Sequence, residues 1–485
     1  MNLQSCCPPI ALVLLALAAL PATAGVLPPP PPPDPVHTLV AQLAGDYAGL
    51  PAQDDPRFGH SVALHGDTLA VGAPGTLTSS GGVVLARGAV FLFRRNPDND
   101  AWQFVQRIAF GTGGNGQCGH AVALNEFSLL VGCPGHEVAG QARGRAVFYR
   151  RNAGGDYVDP VVFADGSVQA GAQCGASVAL IDSAPGSDSP LPMAAVGCPN
   201  RRDFPLGNVG LVGAVDVYSN FLGLWSHATS IIGPAATASG FGTSVNLNRS
   251  GPNPGLTLLL SVGIPGTTAA AAGSVRVYAM GATVGQWSQE HALTGPGQGS
   301  RFGHSVHMRG GRLAVGAPER RVLNPALNPP ATVASGSVSI ATRACNFQGV
   351  CGWSAPVQEY IAAPLPVPVA AAQNRLGQAV QVLEPSRVLA GEPWHPWPGF
   401  NGRGRHYVLE GGNFVLRTTE PFHSASTPAT AEFGAAVSGD AQWLAVGAPG
   451  YPDATSGRVF VYAFDYDDTL FAHDFECSGG APGCR

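Results

Sequence analysis

Short alternating stretches dominate the chain. In Ser61–Leu64 the apolar Val62 and Leu64 alternate with the small Ser61 and Ala63, and a period of two predicts a strand with one buried face. A second apolar run follows at once and ends at Gly72-Ala73-Pro74, where proline stops the ladder because it has no N–H to donate. A third run, Gly88–Phe93 (GAVFLF), and a fourth led by Trp102 (Trp102–Ile108) complete a unit of four short strands.

The unit then recurs. Its first phrase reads RFGHSVALHGDTLAVGAP from Arg57, QCGHAVALNEFSLLVGCP from Gln117, and QCGASVAL…MAAVGCP from Gln173. It returns as GFGTSVNL…LLSVGIP from Gly240, RFGHSVHMRGGRLAVGAP from Arg301, RLGQAVQVLEPSRVLAGEP from Arg375, and EFGAAVSGDAQWLAVGAP from Glu432. The second phrase follows each time, beginning at Gly88, Gly144, Gly213, Gly273, Gly336, Gly404 and Gly457. Further Trp-led segments are Trp225–Ile231, Trp287–Leu293 and Trp353–Tyr360. Spacings that differ from unit to unit are the behaviour of loops.

Four strands per unit and seven units predict an all-β fold, a seven-bladed β-propeller of four-stranded blades. His37–Leu43 has the pattern of a fourth strand yet precedes unit 1, while unit 7 runs out after its third strand at Tyr462. The N-terminal strand is therefore expected to complete the last blade and remove the open edges. The tail Asp465–Glu476 is a competitor for the same edge. Pairing Phe58 with Ala73, and the equivalent residues of units 2, 5 and 7, leaves two-residue turns at His65-Gly66, Asn125-Glu126, Arg309-Gly310 and Asp440-Ala441. The same alignment sets Cys118 opposite Cys133 and Cys174 opposite Cys198, within disulfide reach.

Composition agrees. Of 485 residues, 65 are Gly and 43 Pro, 45% are hydrophobic and only 12% charged, which suits many short strands joined by tight turns. All basic residues are Arg, and a net charge of −5 with no basic run argues against nucleic acid and against an anionic membrane surface. Ile10–Leu20 is an apolar run too short to span a bilayer, followed by Ala22-Thr23-Ala24, so residues 1–24 read as a signal peptide. No Arg or Lys precedes the run. Residues 25–36, with Pro28–Pro33, form a stiff proline-rich linker, 37–464 the repeat domain and 465–485 a C-terminal tail. Once the signal is removed, eight cysteines remain in four close pairs: Cys118 with Cys133, Cys174 with Cys198, Cys345 with Cys351, and Cys477 with Cys484. None has CxxC spacing, so disulfides in a secreted, periplasmic or cell-envelope protein are expected, without membrane insertion.

The repeated phrases resemble the FG-GAP repeats of the integrin α-subunit propeller and of many bacterial exported proteins, over roughly residues 37–464. The resemblance is to the calcium-poor bacterial variety, in which a short turn such as His65-Gly66-Asp67 joins the two halves. Integrin-like members carry an Asp-rich calcium loop there. Here the longer loops, Asp182–Pro192 and Asn248–Gly255, hold only Asp182 and Asp188 between them, against the six to eight oxygens calcium takes, so no cofactor is expected. Thr469–Glu476 resembles a short tail of exported bacterial proteins, and the Arg-only composition points the same way.

Catalytic constellations are weaker. Gly59-His60-Ser61-Val62-Ala63 lacks the last glycine of a nucleophile elbow, and its serine recurs at Ser177, Ser244 and Ser305. Phe464–Leu470 resembles an aspartate-nucleophile motif with too little chain after it to build that fold. His60, His120 and His304 share one repeat position and read as channel lining. The segment richest in binding chemistry is Glu392–Tyr407, between the second and third strands of unit 6, with Trp394, His395, Trp397, Phe400, Arg403 and Arg405. The unit 5 loop Glu319–Ser335 is a second candidate. These features predict a monomeric, non-enzymatic binding or structural module for a protein or glycan ligand. The alternative is an extracellular polysaccharide lyase or hydrolase acting at the central channel.

Overall fold

A computed structural model describes residues 36–45, 56–80, 83–110, 115–138, 140–163, 169–182, 191–202, 212–234, 240–251, 256–266, 268–325, 329–346, 348, 350–354, 358–361, 374–384, 386–397, 400–410, 413–416, 431–451 and 457–465. The expected signal peptide and the tail beyond Asp465, with Cys477 and Cys484, lie outside the described residues. The described residues are all-β with no helix, and their repeat units form the four-stranded blades of a β-propeller.

Unit 1 shows how a blade is built. Strands Ser61–His65, Thr68–Ser80, Val83–Arg95 and Trp102–Ala109 pair antiparallel in chain order. Second strands carry apolar residues on both faces because each blade packs against a neighbour on either side, so Leu69, Ala70, Val71 and Ala73 are fully buried. The Phe of each Phe-Gly pair plugs the gap between blades: Phe58, Phe241, Phe302 and Phe433 are all buried, and Leu376, Cys118 and Cys174 replace it elsewhere. Burying one such ring stabilises by about 1.5–3 kcal/mol.

Six sheets have four strands; the fifth repeat differs. There the outer position is divided between Cys351–Trp353 and Gln358–Ile361, both paired with Ser337–Cys345, which makes a five-stranded sheet. The Cys345–Cys351 disulfide pins the first of these segments at the end of the long third strand. The uniform four-stranded expectation is thus corrected at this unit.

The leading strand Val36–Ala44 pairs with Arg458–Asp465, the third strand of unit 7. Its register shifts between Leu39 and Ala41, opposite Tyr462 and Val461. The true fourth strands of units 1, 3 and 4 shift at the equivalent place, opposite Leu92/Phe93, Val217/Tyr218 and Val277/Tyr278. The borrowed strand thus reproduces a bulge of the strand type it replaces.

The hairpin register needs a second correction. Ser61 pairs with Gly72 and His65 with Thr68, so the two-residue turn is Gly66-Asp67, one residue later than expected. Units 2, 5 and 7 shift identically. The cause is a tight turn at the start of each first strand. His60 N–H donates to Arg57 O at 3.1 Å, and this turn adds residues on one side of the ladder only. Gly72 therefore faces Ser61 and also accepts at its carbonyl from Gly59 N–H at 3.1 Å. A shift of two leaves every side chain on its expected face. It also leaves the cysteine pairing intact: Cys118–Cys133 and Cys174–Cys198 are both disulfides. Asn125 and Asp440 stabilise the turns that lack glycine, Asn125 accepting from Phe127 N–H and Asp440 from Gln442 and Trp443 N–H.

Close backbone approach links consecutive units. A Cβ on Gly72 would strike the carbonyl oxygen of Gly119, and the same holds for Gly132 with Gly175, Gly197 with Gly242, Gly263 with Gly303, Gly316 with Gly377 and Gly391 with Gly434. Gly447 stands in that relation to Gly59, joining unit 7 to unit 1. Around these contacts Ser61, Ser177, Ser244 and Ser305 each donate a hydroxyl hydrogen bond at 2.8 Å to the glycine carbonyl of the following unit. Those hydroxyls tie each unit to the next.

Candidate ligand-binding site

The turn that displaces the register also builds a rim. In all seven units the residue before the Phe-Gly pair has positive φ: Arg57, Gln117, Gln173, Gly240, Arg301, Arg375 and Glu432, between 50° and 66°. Left-handed backbone normally favours Gly, and a long side chain there costs of order 1 kcal/mol or more. Six units nevertheless place a long polar side chain at this position.

Behind the rim the first strands open with His60, His120 and His304. The His60 and His120 rings lie 4.7 Å apart. Burial above all, then His120 and Arg57, holds His60 down at about 3. Burial followed by the charges of Arg301 and Arg375 brings His304 to about 3 as well. His120 is lowered by burial and by Arg57. These imidazoles are neutral at neutral pH. The Gln378 amide nitrogen lies 2.9 Å from His304 Nε2. With that amide donating, the ring proton belongs on Nδ1, which is buried and has no partner.

A cavity of about 860 Å³ opens among the turns of units 2 to 6. The loops between second and third strands supply Asn200, Thr268, Glu319 and Arg321, and the loops leading into first strands supply Gln173, Arg301 and Arg375. Its size lies within the range of about 300–1,000 Å³ usual for ligand pockets. Arg301 meets Glu319 at 3.4 Å, and both are about 40% exposed. Arg321 donates to Thr332 O at 2.8 Å. Arg375 has its guanidinium 4.6 Å from the Trp394 ring centre, and its buried Nε has no hydrogen-bond partner among the described residues.

The unit 6 segment is not a free loop. Arg387–Trp397 and Phe400–Glu410 continue as a paired ribbon up to Trp397 and Phe400. Trp394 is 42% exposed and reaches the cavity through Arg375. The side chains of His395, Trp397, Phe400, Arg403 and Arg405 lie outside the described residues. The unit 5 candidate folds as a small hairpin, Arg321–Asn324 with Ala331–Ala334, and contributes Arg321 and Ala334 to the wall. Sequence reasoning missed the rim itself. Its signal was the column of long polar residues preceding each Phe-Gly, broken once by Gly240.

Potential metal ligands cluster at one place among the described residues, Cys174, Cys198 and Asp216, and both sulfurs are in a disulfide. Asp216 instead accepts from Arg201 and Ser230. Asp182, from the unit 3 loop, accepts from Asn125 Nδ2 at 2.7 Å.

The family model described as FG-GAP repeat matches residues 52–93, which span the first three strands of unit 1. The chain is an FG-GAP repeat propeller. The matched stretch contains Phe58-Gly59, Gly72-Ala73-Pro74 and Gly88–Phe93, and the other units of the FG-GAP propeller repeat these columns. No curated protein matches the chain. Three described disulfides are compatible with an extracellular FG-GAP protein.

Proposed function

We propose that this FG-GAP propeller is an exported, monomeric binding module whose protein or glycan ligand docks on the face where first strands begin and second strands end. The cavity of about 860 Å³ on that face carries the reading, because both loop sets converge on it. On this reading the six four-stranded sheets and the five-stranded sheet are seven blades closed into one ring by Val36–Ala44. The Gly447–Gly59 approach, the 3.2 Å Arg57–Glu432 ion pair and the Leu64 N–H donating to Ser438 Oγ at 2.9 Å support closure. The leading apolar segment directs export, and the module works without calcium or catalysis.

The test uses purified mature protein on a glycan array and in pull-downs from cell-envelope extract. A specific ligand is expected, with binding lost in Trp394→Ala while the melting temperature stays within about 2 °C of the parent. Turnover on a panel of polysaccharides would replace this reading with that of a lyase or hydrolase.

A further inference from the structure

Resting on that reading, we infer that the cavity binds an acidic oligosaccharide, one bearing carboxylate or sulfate groups, with Arg301, Arg321 and Arg375 holding the anion. Three guanidinium groups face a single carboxylate, Glu319, in its wall. The molecule as a whole carries −5, so the cavity is locally opposite in sign to its surroundings. Guanidinium matches carboxylate and sulfate oxygens with paired donors, and Arg375 Nε is buried with no hydrogen-bond partner among the described residues.

The rest of the wall favours a sugar over an acidic peptide. Gln173, Asn200 and Thr268 supply amide and hydroxyl groups suited to sugar hydroxyls, and the remaining lining is mostly Gly, Ala and Pro with no apolar pocket for a side chain. Beside it, half-exposed Trp394 presents an indole that Arg375 already covers on one part, a platform of the kind on which a sugar ring stacks. Backbone conformation adds an independent argument. Gln173, Arg301 and Arg375 all line this one cavity from left-handed backbone, where Gly240 shows that the fold accepts glycine.

Calorimetry on the mature protein tests the proposal with five probes: trigalacturonate, its neutral methyl ester, a sulfated heparin-derived tetrasaccharide, octaglutamate and inorganic sulfate. At least one acidic sugar is expected to bind, the neutral ester at least tenfold more weakly than its acid, and octaglutamate and sulfate not at all. The carboxylated and sulfated arms tell which anion the site prefers. Arg301→Gln and Arg375→Gln should each weaken binding about tenfold or more, the usual effect of losing a charged hydrogen bond. Gln already stands at this repeat position in Gln117 and Gln173, so the fold tolerates it. Arg57→Gln, at the same repeat position but paired to Glu432 outside the cavity, should change binding less than twofold. Equal affinity for acid and ester, equal affinity for octaglutamate, no binding of either acidic sugar, or unaltered binding in both cavity variants overturns the proposal. A neutral glycan or protein captured on the array and lost in Trp394→Ala would overturn it while leaving the binding-module reading in place. A blank array and blank pull-down would remove both.

Discussion

Replacing Gly132 with alanine isolates the contact on which blade spacing depends. Gly132 has no positive φ, so its backbone accepts alanine, and intrinsic strand preference alone favours Ala by about 0.5–1 kcal/mol. Against this, the new Cβ would be driven into the carbonyl oxygen, carbonyl carbon and Cα of Gly175 in the next unit. All three are backbone atoms, and the flanking Val131 and Cys133 are fully buried, so neither side has a flexible chain end that can yield. Overpacking of this kind costs about 1–3 kcal/mol. Because every atom struck is backbone, the cost sits at the upper end of that range, about 3 kcal/mol, and Gly132→Ala is expected to lower the urea midpoint by an amount corresponding to about 2 kcal/mol after the favourable backbone effect. Gly352→Ala is the control: a Cβ there meets nothing within 4 Å, and the change should stay within about 0.5 kcal/mol. Equal midpoints for the two variants under non-reducing conditions would refute the claim that these glycines set the distance between blades.

Acid should destabilise the fold through its histidines. His60 and His304 are held at about 3 against 6.5 for a free imidazole, so below about pH 6.5 the unfolded chain takes up protons that the native one refuses. Stability then falls as pH drops from about 6.5 towards 3, and their imidazole NMR signals should stay fixed between pH 8 and 5; a signal titrating near 6.5 would contradict this. Glu290 moves stability in the same direction. Burial raises its carboxyl, but hydrogen bonds from Arg343 and Trp353 and the Arg343 charge outweigh that and leave it lowered, so its contribution is present above the free carboxyl range and lost as pH falls through the native value. Thiol titration of the denatured, unreduced protein should find Cys118, Cys133, Cys174, Cys198, Cys345 and Cys351 unreactive, and reactive thiols at any of them would contradict the pairing.

Much of this architecture was legible because the repeat prints the same local physics many times. The Phe-Gly and Gly-x-Pro columns located the first and second strands, and two units with cysteine at both columns fixed a long-range contact. The register was misjudged by two because that contact lies beyond the tight Arg57–His60 turn, while the ladder proper begins at Ser61. A hairpin counted straight through a turn inherits the turn's extra residues. Unit 5 departed from four strands because the Cys345–Cys351 bridge holds one outer segment apart from the next, a tertiary constraint absent from the strand pattern. At the proposed binding face, Trp394 stood out by its chemistry. Arg301, Arg321, Arg375, Gln173 and Asn200 did not, because they come from separate units and only the side-by-side packing of units brings them to one cavity.

The proposed ring rests on unit 1 meeting unit 7, and one aromatic pair reports that contact directly. Trp102 and Trp443, both more than nine-tenths buried, pack edge to face with ring centres 6.0 Å apart, although they belong to the first and last units. A double-mutant cycle with Trp102→Leu and Trp443→Leu should give a coupling of about 0.5–1.5 kcal/mol, as expected for a direct aromatic pair. Strict additivity, within about 0.3 kcal/mol, is the behaviour of residues that do not touch, and would mean that the two ends of the propeller stand apart.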